Sequence, residues 1–498
     1  MFETAELGHA ISKTDYNQQI PLLRTELLTV QQQLKNCDFP VIILISGVDG
    51  GGKGEVINLL NEWMDPRYIR TFAFSAPSDE EKERPQFWRF WRTLPPKGLI
   101  GINVGSWYSE PLSQRVYGLI NDHQLQIELM HIRQLEQLLI DEGGLIIKCW
   151  LHLKKDQQKK RLKALEKNPK TAWQITDRDR RHLKMYDDFL AVAERVLTDT
   201  STAESPWLIV EGSDRRYSSL TVGYYVLNRI QQQIQNRQLI KKIPLKIHHS
   251  LPISQQNLLD SLDLSLTIDK KSYSQQLAFY QGKLNQLARE THQKHRSIIL
   301  VFEGWDAAGK GGAIRRITHA VDARNYQIIP IAAPTDEERQ HHYLWRFWRH
   351  IPRAGWLTIY DRSWYGRVLV ERVEGFATET EWQRSYSEIV NFEEALTAHG
   401  ILVLKFWLHI DKDEQLRRFK QRELIAYKQY KITEEDYRNR EKWDEYQIAV
   451  NEMVTRTSTQ TSPWILVEAN DKKYARIKIL KLFCEYLEKN LKKENSII

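Results

Sequence analysis

The chain has 498 residues, 41% of them hydrophobic, which is enough for two or three domains with cores of their own. Its net charge of +8 and pI near 9.0 favour anionic partners, yet it carries no helix-turn-helix, zinc-finger or RNA-binding signature, so a small polyanion is expected rather than nucleic acid. Three scattered cysteines, Cys37, Cys149 and Cys484, give neither a disulfide framework nor metal spacing, no apolar run reaches the length of a membrane span, and Met1–Glu6 shows no basic-then-apolar signal pattern, so a reduced, cytoplasmic protein without a membrane partner is expected.

Ser12–Leu34 has a helical pattern. Val41–Lys53, V-I-I-L-I-S-G-V-D-G-G-G-K, reads as a strand running into a glycine loop. Further landmarks are W-R-F-W-R at Trp88–Arg92, Ser106-Trp107-Tyr108, Trp150-Leu151-His152 and Ser205-Pro206-Trp207. Residues 242–266 hold Pro244, Pro252, several Ser and Gln, and the pair His248-His249. No partner ligands stand at metal-binding spacing, so this stretch reads as a linker. After it the landmarks return 257 positions later without a gap: Lys53 as Lys310, Trp88–Arg92 as Trp345–Arg349, Ser106-Trp107-Tyr108 as Ser363-Trp364-Tyr365, Ser205-Pro206-Trp207 as Ser462-Pro463-Trp464. A period this long marks a duplicated domain rather than a solenoid. The expected organisation is a domain at 1–241, the linker at 242–266 and a second domain at 267–498.

In the second half, Asp269–Arg289 is helical and Ile298–Phe302 leads into Gly304–Gly312, G-W-D-A-A-G-K-G-G. A strand, a glycine loop and a helix in that order form the setting of a phosphate-binding loop. Gly304, Gly309 and Gly311 let the backbone approach an anion, Gly312 opens the helix, and Lys310 adds a full positive charge. The spacing is G-x-x-x-x-G-K, but Gly311 follows the lysine where Ser or Thr usually supplies a magnesium ligand. Asp306 inside the loop is therefore expected to meet a metal ion or its water shell. A turn that only tightens strand–helix packing is the simpler alternative, and the strand, lysine and helix together argue against it.

Leu357–Tyr360 is a second apolar strand, ending in Asp361-Arg362. An acid at the end of a strand beside the loop strand suits a magnesium ligand, and Arg362 suits bidentate phosphate contact, with Arg367 and Arg372 extending the positive lining. An Asp–Arg pair capping a helix is the structural alternative. Ile401–Leu408 and Trp464–Val467 complete the strands. Asp411 reads as a helix cap, and Arg418 and Arg422 share one helical face; from spacing alone they suit phosphate contact and a solvated surface equally. Lys428–Tyr446 stands where a lid would close over phosphates. The fold class expected from the alternation is α/β: two tandem domains, each a parallel sheet sandwiched by helices.

The first half lacks much of this chemistry. Val104, Gly105, Glu110, Glu55 and Leu165 stand where the second half has Asp361, Arg362, Arg367, Gly312 and Arg422. The halves share fold and differ in reactive groups.

G-W-D-A-A-G-K-G-G, A-P-T-D-E-E at Ala333–Glu338, L-W-R-F-W-R at Leu344–Arg349 and Y-D-R-S-W-Y-G-R at Tyr360–Arg367 resemble the polyphosphate kinase 2 family, and the fused pair resembles its two-domain class over nearly the whole chain. The resemblance implies two tandem P-loop kinase-like domains, each with a helical lid, together with magnesium and transfer of a phosphoryl group from inorganic polyphosphate to AMP, giving ADP. It carries loop functions to Asp306 and Lys310, second-strand functions to Asp361 and Arg362, and the lid arginine to Arg417, Arg418 or Arg422, with Arg418 preferred. The rivals are a polyphosphate-dependent ADP or GDP kinase, an ATP-dependent nucleoside monophosphate kinase, and a non-catalytic polyphosphate- or nucleotide-binding scaffold. A homo-oligomer is compatible with the sequence.

Overall fold

The computed structural model describes residues 1–240, 257–426, 429 and 434–492. The chain forms two compact units, one around each of two five-stranded sheets. His248 and His249, most of the expected linker, and residues 428 and 430–433 of the expected lid lie outside the described residues.

The first sheet consists of β1 (Val41–Gly47), β2 (Ile69–Ala73), β3 (Ile100–Val104), β4 (Leu145–His152) and β5 (Trp207–Glu211), in the order β2-β3-β1-β4-β5. The second repeats it with β6 (Ile298–Gly304), β7 (Tyr326–Pro330), β8 (Leu357–Asp361), β9 (Leu402–His409) and β10 (Trp464–Glu468), in the order β7-β8-β6-β9-β10. Every pairing is parallel. Parallel strands need helical crossovers, which cover both faces and so require apolar side chains on both. Ile298–Phe302 is accordingly buried throughout, each large side chain contributing roughly 1.5–3 kcal/mol. β7 has no continuous apolar run to announce it, because it is an edge strand with only Ile329 buried and Pro330 at its end.

Two features of the sequence turn out to be core. Lys405 on β9 is fully buried, and its ammonium donates to Glu393 (2.6 Å), the Tyr365 hydroxyl (2.8 Å) and the Thr457 carbonyl (2.8 Å). Trp364 and Tyr365 both donate to the same Glu393, at 3.0 and 2.7 Å. Lys148, Glu136, Trp107 and Tyr108 repeat the arrangement in the first unit. A buried charge is tolerable when its donors are all satisfied, and this explains why Ser-Trp-Tyr recurs. The W-R-F-W-R stretch forms a short helix at Trp345–Trp348 whose aromatic rings are buried.

Among the described residues, no helix is long and apolar enough to cross a membrane. Leu258–Ser261, within the stretch read as linker, forms a short 3-10 helix with Leu259 buried.

Candidate active site

The loop of the second unit turns out of β6 at Gly304, whose φ is 146° and where an added Cβ would lie 2.4 Å from the Leu408 carbonyl oxygen. It enters the helix Lys310–Thr318 through Gly309, a left-handed cap with φ 116°. Among the described residues, the amides of Gly309, Lys310 and Gly311 donate no hydrogen bond. These are the orphan N–H groups of a helix start, pointing where an anion would be held. Lys310 folds across the loop, donating to the carbonyls of Gly304 (2.6 Å) and Trp305 (3.3 Å). Burial holds its ammonium below the ordinary lysine range, against the pull of Asp306.

Asp306 accepts from Arg362 (2.8 Å) and from Asn439 (3.1 Å), which lies on the helix Glu434–Glu441 of the expected lid. Burial alone would raise its carboxyl, but Lys310, Arg362 and Asn439 outweigh burial and hold it low. Asp361 ends β8, level with Phe302 of β6. One of its carboxylate oxygens is 4.0 Å from where Gly311 would carry a Cβ. It is half-buried, and among the described residues nothing hydrogen-bonds or ion-pairs with its carboxylate. Arg362 holds a left-handed φ of 64°, unusual for a residue with a side chain. The loop acid, the loop lysine, the strand acid and its arginine are therefore brought together at the C-terminal ends of β6 and β8, where open α/β sheets bind ligands.

Arg418, Arg367 and Arg372, expected at the phosphate, are engaged by protein partners instead. Arg418 is 1% exposed and donates to the carbonyls of Ala307 and Ala308 (2.9 Å each), Ala469 (2.6 Å) and Asn470 (2.9 Å), with its fifth N–H on Glu414. A guanidinium has five N–H groups, so Arg418 has none left for a phosphate. It clamps the loop from behind, as Gln415 does through the Asp306 carbonyl. Arg367 ion-pairs with Glu371 at 2.9 Å and lies over the Tyr343 ring. Arg372 donates to Tyr386 and Glu452 and lies over Trp382. Both tie helices together and are not part of the loop cluster. Arg422 is partly buried and electrostatically coupled to Lys472 and Arg418.

Sequence reasoning missed four participants. Glu303, on β6 just before the loop, is buried and accepts from the Ser363 hydroxyl at 2.8 Å; burial pushes its carboxyl up, with Lys310 opposing. Trp305 stacks flat on Trp443, 3.7 Å between centroids, and donates to His409 Nδ1 at 3.0 Å. Asn439 ties the helix Glu434–Glu441 to the loop. Arg476 reaches the start of the loop helix, one guanidinium nitrogen 3.2 Å from where Gly312 would carry a Cβ. The signal was available: Ser46, Val48, His182 and Ser219 stand at the matching positions of the first half.

The first unit keeps the scaffold of this site. Lys53 donates to the Gly47 and Val48 carbonyls (2.7 and 3.0 Å), and Gln158 to the Asp49 carbonyl (2.9 Å). Arg161 donates to Gly50, Gly212 and Ser213 as Arg418 does to their counterparts. Asp49 meets His182 at 2.6 Å where Asp306 meets Asn439. The clamp therefore belongs to the fold.

A family model described as polyphosphate kinase 2 matches residues 10–238 and again 267–495. The chain belongs to the polyphosphate kinase 2 family. It is 52% identical to a polyphosphate:AMP phosphotransferase of Pseudomonas aeruginosa over 99% of this chain and 100% of that one. It is 50% identical to a protein of the same name from Pseudomonas syringae, over 98% of each. A crystal structure from Pseudomonas aeruginosa, assigned to polyphosphate kinase 2, superposes with a TM-score of 0.88 at 50% identity, covering 99% of this chain and all of that one. These agree with the two parallel helix-flanked sheets and with the P-loop kinase-like class expected from the sequence.

Among the described residues, no group of three or more His, Cys, Asp or Glu forms a metal site. Magnesium does not require one in a phosphotransferase, since it keeps waters and binds one or two carboxylates together with substrate phosphates. Asp361, a half-buried carboxylate with no hydrogen-bond or ion-pair partner among the described residues, lies beside the glycine loop and fits that donor set.

Proposed function

We propose that the chain transfers the terminal phosphoryl group of inorganic polyphosphate to AMP, giving ADP, and that residues 267–498 do so while residues 1–241 form a degenerate copy. The observation that carries this reading is the assembly of Lys310, Asp306, Asp361 and Arg362 around an open helix start in the second unit alone. Support for the substrates comes from relatives about half identical over the full length.

The acceptor phosphate of AMP is already anionic, so little general-base help is needed. The obstacle is repulsion between two polyanions, and catalysis is mainly positioning and charge cancellation. The free amides of Gly309–Gly311 and the Lys310 ammonium hold terminal phosphates of the donor. Arg362, anchored on Asp306, contacts the transferring group. Asp361 would hold a metal ion, with Asp306, already engaged by Arg362 and Asn439, beside it. A magnesium ion held there would neutralise phosphate oxygens. Arg418, expected at the phosphate, serves by fixing the loop's shape.

Purified protein with magnesium, polyphosphate and each nucleoside monophosphate in turn tests the reading, with ADP formation from AMP the expected result. ADP formed from ATP and AMP, but not from polyphosphate and AMP, would make it an ordinary nucleotide kinase.

A further inference from the structure

Duplication inside the chain provides a control for sorting residues. Groups that hold the fold occur in both units: Lys405 and Lys148, Glu393 and Glu136, Arg418 and Arg161, Gln415 and Gln158, Ser363 and Ser106. Asp361 and Arg362 occur only in the second. Glu303 belongs with them, because its first-half counterpart is Ser46. A buried carboxylate is also the wrong charge for a site that binds polyanions, so packing alone does not account for it.

The backbone supplies the reason. Gly105 has a φ of 70° and Arg362 a φ of 64°, so both units make the same left-handed turn after the second inner strand. The first unit uses the residue that adopts it freely, and the second places a large side chain there against its preference. What holds Arg362 comes from β6. Its amide donates to the Phe302 carbonyl at 3.0 Å. The next residue, Ser363, donates through its hydroxyl to Glu303 (2.8 Å), and the same hydroxyl accepts from the Tyr365 amide (3.3 Å). In the first unit the Ser106 hydroxyl accepts from the Tyr108 amide (3.4 Å), and Ser46 stands where the second unit has Glu303.

We infer that Glu303 is a positioning residue for phosphoryl transfer: through Ser363 it holds the strained turn that aims Asp361 and Arg362 at the loop, an inference that rests on the second unit being the transferase. Acid and arginine occur together in the second unit and are both absent from the first, as expected where one stabilises the backbone that the other strains.

The test is a pair of double-mutant cycles on the full chain, Glu303→Ser with and without Arg362→Gly, read by steady-state kinetics and by thermal denaturation. In the parent, Glu303→Ser is expected to lower kcat roughly 30- to 100-fold, as a misaimed group does, with KM for AMP and polyphosphate moving less than about threefold. In the Arg362→Gly background the same change should alter kcat less than about threefold, because the turn no longer needs holding. The Tm loss on Glu303→Ser should likewise be smaller there, by about 2–4 °C. Glu303→Gln, whose amide oxygen can accept from Ser363, should recover most of the kcat. If Glu303→Ser does not fold, Ser363→Ala removes the same hydrogen bond from the other side and carries the same cycle. Equal losses in both backgrounds, in kcat and in Tm, overturn the inference. The Tm cycle needs no turnover, so a parent protein inactive on polyphosphate and AMP would sink the proposed function without deciding this one.

Discussion

Deleting Arg418 removes all five of its hydrogen bonds at once and leaves four carbonyl groups of the loop and of the β10 end without a donor. Each unsatisfied buried carbonyl costs about 1–3 kcal/mol. Arg418→Ala is therefore expected to unfold or loosen the second unit, with a drop in Tm that accompanies any loss of activity. Arg362 is 45% exposed, so its own end of the pair with Asp306 is solvated, and Lys310 and Asn439 still hold Asp306 when it is removed, so the pair adds little to stability. Arg362→Ala should leave Tm within a degree or two while lowering kcat by about 10³-fold or more, the range for an arginine that serves the transferring phosphoryl group. Calorimetry alongside a coupled ADP assay separates them. Asp361→Asn should keep the fold, since among the described residues nothing hydrogen-bonds or ion-pairs with that carboxylate, and should abolish magnesium-dependent turnover. Retained turnover would remove Asp361 from the metal site.

At the scale of elements, the loop is joined to β9 and to the helix Trp443–Thr457 by aromatic rings. Trp305 lies between Trp443 and His409, and its N–H on His409 Nδ1 requires that nitrogen to be unprotonated. Burial lowers His409 to about 4, against the opposing pull of Asp260, Asp411 and Glu468. An unfolded histidine protonates near 6.5, so between pH 6.5 and 4 the unfolded chain binds the extra proton. This contribution to stability is complete above about pH 6.5 and is lost as pH falls towards 4, amounting to about 3 kcal/mol. Denaturant melts at pH 7 and pH 5 should show the loss in the parent and a flatter dependence in His409→Asn, whose side-chain oxygen can accept from Trp305 without titrating. An unchanged slope would show that His409 is not the group responsible. The glycine loop, the capped helix at Asp411 and the apolar strands were all legible in the sequence, because each follows from local pattern. β7 was not, since an edge strand needs only one buried side chain. Nor was the Trp305–Trp443 stack, whose members lie far apart in the chain and meet only on folding.

For the whole molecule, the two units present one scaffold with and without reactive groups. Lys310→Ala is expected to remove nearly all transfer, and Lys53→Ala to leave kcat/KM within about threefold, because only the second loop faces a carboxylate and an arginine from its neighbouring strand. Equal losses from the two substitutions would show that both copies turn over substrate. Lys53 and Lys310 have the same carbonyl partners, so the comparison measures function against a matched structural background.

Periodicity, glycine spacing and the 257-residue repeat were enough to determine two α/β units, a glycine loop with its lysine in each, and the acid–arginine pair after the second inner strand only in the second, because these depend on residue order and on chemistry carried by single side chains. Tertiary structure decided which arginines point at the loop. Arg418 and Arg362 carry the same charge in sequence, but one is surrounded by backbone carbonyls brought in from two separate segments, the loop and the end of β10, and the other sits at a strained strand end facing Asp306. Charge is written in the sequence, whereas the acceptors that use it up are assembled only when distant strands come together.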